Sequence, residues 1–450
     1  MSHAAPAVSD APAPFHPASS PDYVPREPLG RLQSQRLREV VCRAYERVAL
    51  YRQRMQKHGV TPAEIRGVED LPKLPLTVNS DLLDAYPFGM LAVPLGQVLR
   101  LHPPTGGTGK PAVVAYTKRD LDVWTEVVVR CLACCGVQRG DVVQNACPPD
   151  LFTDGPGLCC AGETLGASVI PISGGDVARQ IMVLKDFGVS AICATPSYFL
   201  HLVERAEKMG VDLRGLPLRI GAFVAEPWSE ALRRRIEDSA GIKAYEIYGL
   251  AESIGPGIGA ECCHQNGLHL LEDHFFPEIV DPASGEPLPD GQEGELVLTT
   301  LSKEAMPLVR YRTRDLTSIF PEPCPCGRTM RRIRRIERHG DEMFVIHGTS
   351  VFPAQIEAAL LAIEGTLPHY QIVLAREKGL DQVEVQIEVT PQVFTDRVGA
   401  LESLQTRLAQ EIEQTLGIGV AVRLVEPHTI ERSHGKAKRV VDKRALGTLP

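Results

Sequence analysis

Aromatic residues are scarce in this chain. Phe, Trp and Tyr make up 5% of 450 residues, so its interior must be built mostly from aliphatic side chains. No apolar run approaches the roughly 20 residues that a membrane-spanning helix needs. There is no excess of positive charge: 48 Lys and Arg against 56 Asp and Glu leave a net charge of -8. That balance argues against a nucleic-acid binder, because phosphate backbones demand clustered cations. The first 28 residues are rich in Ala, Pro and Ser and lack a hydrophobic stretch of signal-peptide type; residues 1 to about 20 are expected to be a disordered leader. The twelve cysteines lack the spacing of a disulfide scaffold, and several are adjacent pairs, such as Cys134-Cys135. They fit a reducing cytoplasm and use as small core residues. What remains is the composition of a globular protein, 44% hydrophobic and 23% charged, long enough for two or three domains.

Residues from Gly30 to His58 carry apolar side chains at helical spacing and read as one amphipathic helix ended by His58-Gly59. From there to about residue 320, short β-branched runs such as 167–172, 191–193 and 218–223 alternate with helical stretches. That rhythm predicts a large N-terminal α/β domain, residues 21–337, with a mainly parallel sheet. After Gly340 a second module begins, with strand, helix, two strands, helix and a last strand at 421–425. It predicts a small C-terminal α+β domain, residues 338–450, joined through a hinge.

Four motifs carry chemistry. Thr105, Gly106, Gly107, Thr108, Gly109 and Lys110 form a Gly-rich stretch whose backbone N–H groups, hydroxyls and ammonium suit phosphate oxygens. Pro104 and Pro111 stand where a Walker A loop needs Gly and Ser or Thr, which argues against a P-loop NTPase. Alone, the stretch is equally a glycine turn. The others are Tyr248-Gly249-Leu250-Ala251-Glu252, Tyr311-Arg312-Thr313-Arg314-Asp315 and Gly435-Lys436-Ala437-Lys438-Arg439. In this order and at these separations, the four resemble the adenylate-forming superfamily of acyl-CoA synthetases and adenylation domains. Further strings bring the resemblance to the phenylacetate–CoA ligase family across nearly the whole chain: Tyr86-Pro87-Phe88-Gly89-Met90, Glu226-Pro227-Trp228, Glu272-Asp273-His274-Phe275-Phe276-Pro277-Glu278 and Cys324-Pro325-Cys326-Gly327-Arg328.

The resemblance implies an enzyme that activates a small aromatic carboxylic acid with ATP as an acyl-adenylate, releases pyrophosphate and transfers the acyl group to CoA. It implies Glu252 as the Mg²⁺ ligand, a hard-cation role that suits a carboxylate. Asp315 would hold the ribose hydroxyls, Tyr248 would lie against adenine, and Glu226 and His339 would join the nucleotide site. Lys436 would bridge the substrate carboxylate and the α-phosphate, and Asp341 would be the hinge. The acyl pocket would take in Phe152, Phe223, Ala225, Tyr248 and Gly249. Cys324 and Cys326 are a tight thiolate pair; Cys262 and His269 could complete a tetrahedral zinc set, with Cys263, His264 or His274 as substitutes. The expected partners are the acid and ATP, in a cytoplasmic homodimer without nucleic acid or membrane.

Two departures from the family pattern matter. The usual Ser-Ser-Gly-Thr-Thr-Gly-Lys-Pro loop has Pro104, Thr105 and Gly107 in place of Ser, Ser and Thr, and a usual Arg is His339. The pocket region, Cys147-Pro148-Pro149-Asp150-Leu151-Phe152-Thr153-Asp154, and Val224-Ala225 also differ, so the acid is expected to differ from plain phenylacetate. Two alternatives stay open: an adenylate-forming ligase with a non-CoA acceptor, and a nucleotide-binding homologue without turnover.

Overall fold

The structure is a computed structural model; it describes residues 16–102, 113–147, 154–173, 175–336, 338–339, 344–346, 349–377, 380–394, 398–432 and 437–444. The larger part is organised on an eight-stranded sheet. Five strands run parallel, in the order Lys243–Leu250, Ile220–Phe223, Ala191–Ala194, Val142–Asn145 and Ser168–Ile170. Three more, Gly255–Glu261, Leu268–Leu270 and Arg332–Ile333, continue the sheet antiparallel. The sheet is therefore mixed where the sequence rhythm predicts mainly parallel pairing. Past residue 250 the chain turns back in two short hairpins with no helix between strands, and Arg332–Ile333 returns to the edge after the strands of a second sheet, so antiparallel pairing follows.

The parallel strands are apolar on both faces because helices cover both. Ala191 and Cys193 face a core shared with the helix Lys118–Cys134, whereas Ile192 and Ala194 face one shared with the helices Val177–Asp186, Pro196–Lys208 and Glu230–Ala240. A second sheet is antiparallel and four-stranded: Phe275–Val280, Gly294–Thr300, Tyr311–Thr317 and Arg338–His339. The N-terminal helices Arg26–Arg47 and Ala49–His58, separated at Val48, share a core with Leu301, Met306 and Val309 beyond the Gly294–Thr300 strand.

Residues 17–20, which the sequence assigns to a leader, are helical. Pro17–Tyr23 forms a short 3-10 helix with Ser19 and Asp22 buried, since Asp22 binds the guanidinium groups of Arg130 and Arg328.

The C-terminal residues build their own core on a sheet ordered Ala421–Val425, Leu380–Val389, Thr366–Glu377 and Val440–Asp442, packed by the helices Pro353–Leu361 and Val398–Leu416. This matches the expected module, with two strands added: Thr349–Val351, paired with the opening strand Phe344–Ile346, and the last strand Val440–Asp442.

Candidate active site

The strand Lys243–Leu250 ends at the site. Its pairing with Gly255–Glu261 slips between Tyr248 and Gly249, and there the neighbouring backbone comes very close. A β-carbon on Gly249 would lie 2.1 Å from the Gly255 carbonyl oxygen and 2.5 Å from Pro256 Cα, so only glycine fits. The turn after this strand carries Glu252, half-buried.

Tyr248 donates its hydroxyl hydrogen to Asp315 Oδ2. Burial, reinforced by the Asp315 charge, raises the Tyr248 pKa well above its ordinary value, so the phenol stays a donor. Asp315 is buried on the strand Tyr311–Thr317, where Tyr311, Thr313, Asp315 and Thr317 share the inner face. Its backbone N–H donates to Thr313 Oγ1 at 3.1 Å. The backbone of His339 is its register partner in the adjacent strand. Three predicted site residues from two sheets thus come together.

After Phe223 the chain turns sharply: Ala225 sits at φ 72°, a region disfavoured for a residue with a β-carbon. Ala225 packs on the same core as Tyr248. Phe223 faces the other way, fully buried against Phe199 and Trp228 at ring distances of 5.3 and 5.4 Å. The structure does not bring Phe223 beside Tyr248 and Ala225. Strand alternation explains this, since Ala222 and Val224 take the opposite face. Glu226 accepts from the backbone N–H of Ser197 at 3.1 Å through Oε2, and from that of Ala437 through Oε1. Thr105, Gly106, Gly107, Thr108, Gly109, Lys110, Phe152, Asp341 and Lys436 lie outside the described residues.

The four predicted metal ligands do converge. Cys262 follows the strand Gly255–Glu261, His269 lies in Leu268–Leu270, and Cys324 and Cys326 occupy the loop before Arg332–Ile333. Their ligand atoms all lie within 4.8 Å of one another. Cys262 Sγ and Cys324 Sγ are 3.7 Å apart, and Cys326 Sγ is 3.4 Å from His269 Nε2. Zinc–sulfur bonds of about 2.3 Å put two thiolates of a tetrahedral site about 3.8 Å apart, so the donor set fits the ion. His269 Nδ1 faces the Met330 carbonyl at 3.3 Å, which leaves Nε2 toward the sulfurs.

Two buried charged groups have no sequence signal that marks them in advance. Arg130 donates to both carboxylate oxygens of Asp273 at 2.9 Å and to Asp22 at 2.8 Å. Lys303 is 4% exposed, and its ammonium lies 3.4 Å from the centroid of the Tyr116 ring with no hydrogen-bond partner among the described residues. Burial pushes its pKa down to about 7, against the opposing charge of Asp120.

Known proteins place this arrangement. The AMP-binding enzyme family pattern matches residues 105–302, and the AMP-binding enzyme C-terminal domain matches residues 348–444. The phenylacetate–coenzyme A ligase of Thermus thermophilus is 46% identical over 94% of this chain and 98% of its own length. That of Escherichia coli is 44% identical over 93% and 95%. Among solved structures, a 2-hydroxyisobutyryl-CoA ligase in its post-adenylation state, with a bound acyl-AMP, superposes with a TM-score of 0.88 at 28% identity, covering 96% of this chain and 94% of that one. The same ligase with CoA in its thioesterification state gives 0.69 over the same shares.

Fold and site together define an adenylate-forming enzyme, one that activates a carboxylic acid with ATP. The chain belongs to the phenylacetate–CoA ligase family. It is an acid–CoA ligase, making an acyl-adenylate and then a CoA thioester.

Proposed function

We propose that the acid is compact and aromatic, related to phenylacetate but more polar. Support comes from the curated phenylacetate–coenzyme A ligases at 44–46% identity, and from this chain's own Asp150 and Asp154 in a stretch that departs from the family pattern. The observation that carries the nucleotide assignment is the bond between Tyr248 and Asp315. It fixes a carboxylate at the end of the central strand, with one oxygen oriented by the phenol. Such a group accepts hydrogen bonds from vicinal hydroxyls, the chemistry a ribose offers.

In this reading Tyr248 also lies against the adenine, and Gly249 and Ala225 border the acyl group. Thr105 to Lys110 receive the phosphates, with His339 nearby. Glu252 holds Mg²⁺, which neutralises phosphate charge when bound. Lys436 meets the negative charge that develops as the carboxylate oxygen attacks the α-phosphorus and pyrophosphate leaves. Asp341 is the hinge between a domain of residues 21–337 and one of 338–450. Cys262, His269, Cys324 and Cys326 hold a structural zinc that ties the loop 321–331 to the sheet edge.

The enzyme works in the cytoplasm as a homodimer. Among the described residues, six of the nine large exposed hydrophobics fall between Leu83 and Leu101, and a second copy would cover them. No described helix is long and apolar enough to cross a membrane. A panel of aryl acids, offered with ATP, Mg²⁺ and CoA, tests the substrate assignment; turnover confined to long-chain fatty acids would refute it.

A further inference from the structure

Glu226 belongs to a small set of contacts through which the larger part of the chain grips the backbone beyond Lys436. Ser197 lies in the first turn of the helix Pro196–Lys208, where a backbone N–H has no intrahelical acceptor. Glu226 Oε2 takes that N–H, and Oε1 takes the N–H of Ala437, the residue that follows Lys436. Two residues further on, the Arg439 guanidinium is 3.4 Å from both Ser197 Oγ and Glu357 Oε2 and lies over the Tyr370 ring. Glu357 in turn accepts from Ser229 N–H and Oγ–H at 3.1 and 2.8 Å.

Each oxygen of Glu226 therefore already takes a peptide N–H, and an ionised carboxylate offers nothing to a phosphate. We infer that Glu226 is a positioning residue, which fixes the peptide after Lys436 during adenylate formation, rather than a nucleotide ligand. The inference rests on the role given to Lys436 above. A reacting group displaced by about 1 Å can lose on the order of 10² in rate, so a clamp one residue away controls the step without touching substrate. The contact spans the two parts of the chain in an arrangement that superposes more closely on the 2-hydroxyisobutyryl-CoA ligase in its post-adenylation state than in its thioesterification state. It has no part to play in a step that does not use this arrangement.

Glu226→Gln keeps the volume and one acceptor oxygen but presents an N–H₂ to the second peptide. With phenylacetate as the probe acid, kcat for ATP–pyrophosphate exchange should fall about tenfold while the ATP KM stays within about twofold. Thioester formation from supplied phenylacetyl-adenylate and CoA should be unchanged. Amide hydrogen exchange of the peptide beginning at Ala437 should quicken in the variant, a readout that needs no turnover. A raised ATP KM with unchanged kcat would make Glu226 a nucleotide ligand. Equal losses in both half-reactions, or unchanged exchange at Ala437, would overturn the inference. Wild-type silence in pyrophosphate exchange would count against the substrate reading instead, and amide exchange would still decide the role of Glu226.

Discussion

The Tyr248 hydroxyl and the Asp315 carboxylate, 67 residues apart in sequence, meet in one hydrogen bond between two different sheets. Hydrogen bonds to charged groups contribute about 1.5–3 kcal/mol, and a tenfold change in affinity needs about 1.4. Tyr248→Phe should therefore raise the ATP KM about tenfold, with kcat less affected, if Asp315 binds the nucleotide. Steady-state exchange kinetics check this; an unchanged ATP KM would detach the pair from nucleotide binding.

Gly249 sits where the facing backbone leaves no room for a side chain. Overpacking of this kind typically costs about 1–3 kcal/mol, and here the atoms in the way are backbone. Gly249→Ala should lower Tm by several degrees and open the slipped pairing beside Tyr248 and Glu252, so exchange activity falls together with stability. Thermal melts and exchange assays on the same preparation would show both; a fully active, equally stable variant contradicts the geometry.

The Cys₃His cluster predicts one zinc per chain. Metal analysis of protein purified without chelator should find it, and prolonged chelation or Cys326→Ser should lower Tm, since metal affinity is coupled to folding. The loop from Pro321 to Arg331 should become sensitive to protease at the same time. Stoichiometric absence of zinc, with no chelator effect, would leave the four residues as buried thiols beside a histidine.

Lys303 gives a pH signature. Its folded pKa, pushed down to about 7 by burial, lies below the ordinary lysine value of 10.5. Between those values the unfolded chain binds the extra proton, so this residue costs stability increasingly as pH falls toward 7, by a few kcal/mol at most. Lys303→Met should gain most in Tm over wild type at or below pH 7, and the gain should shrink toward pH 10. A gain that grows with pH would contradict the burial of an uncompensated ammonium.

Parallel strands such as Ala191–Ala194 and Ile220–Phe223 are legible because their apolar patterns are pure, whereas Val142–Asn145, with two polar residues of four, carries no such signal. The strand Ala421–Val425 falls at its expected bounds, and the helices Val177–Asp186, Pro196–Lys208 and Glu230–Ala240 stand where helical stretches are expected to alternate with the short strands. The second sheet left no such signal. In Tyr311–Thr317 the buried face carries Tyr, Thr, Asp and Thr, so burial and hydrophobicity do not coincide, and only the motif drew attention to it. The residues Tyr248, Gly249, Glu252 and Asp315 were legible through motifs. The family resemblance puts Phe223 in the acyl pocket, whereas strand alternation sends its side chain to the opposite core. The Glu226 contacts with Ser197 and Ala437 were out of reach because nothing in a sequence pairs residues 29 and 211 positions apart.

The most direct measurement of the central claim follows AMP, pyrophosphate and acyl-CoA by mass, in wild type and Lys436→Ala, with ATP, Mg²⁺, CoA and phenylacetate or its hydroxylated analogues. Wild type should give all three products, and Lys436→Ala should form adenylate on the order of 10²–10³-fold more slowly while remaining folded. Equal rates for the two proteins would contradict the account, as would wild-type silence toward every aryl acid.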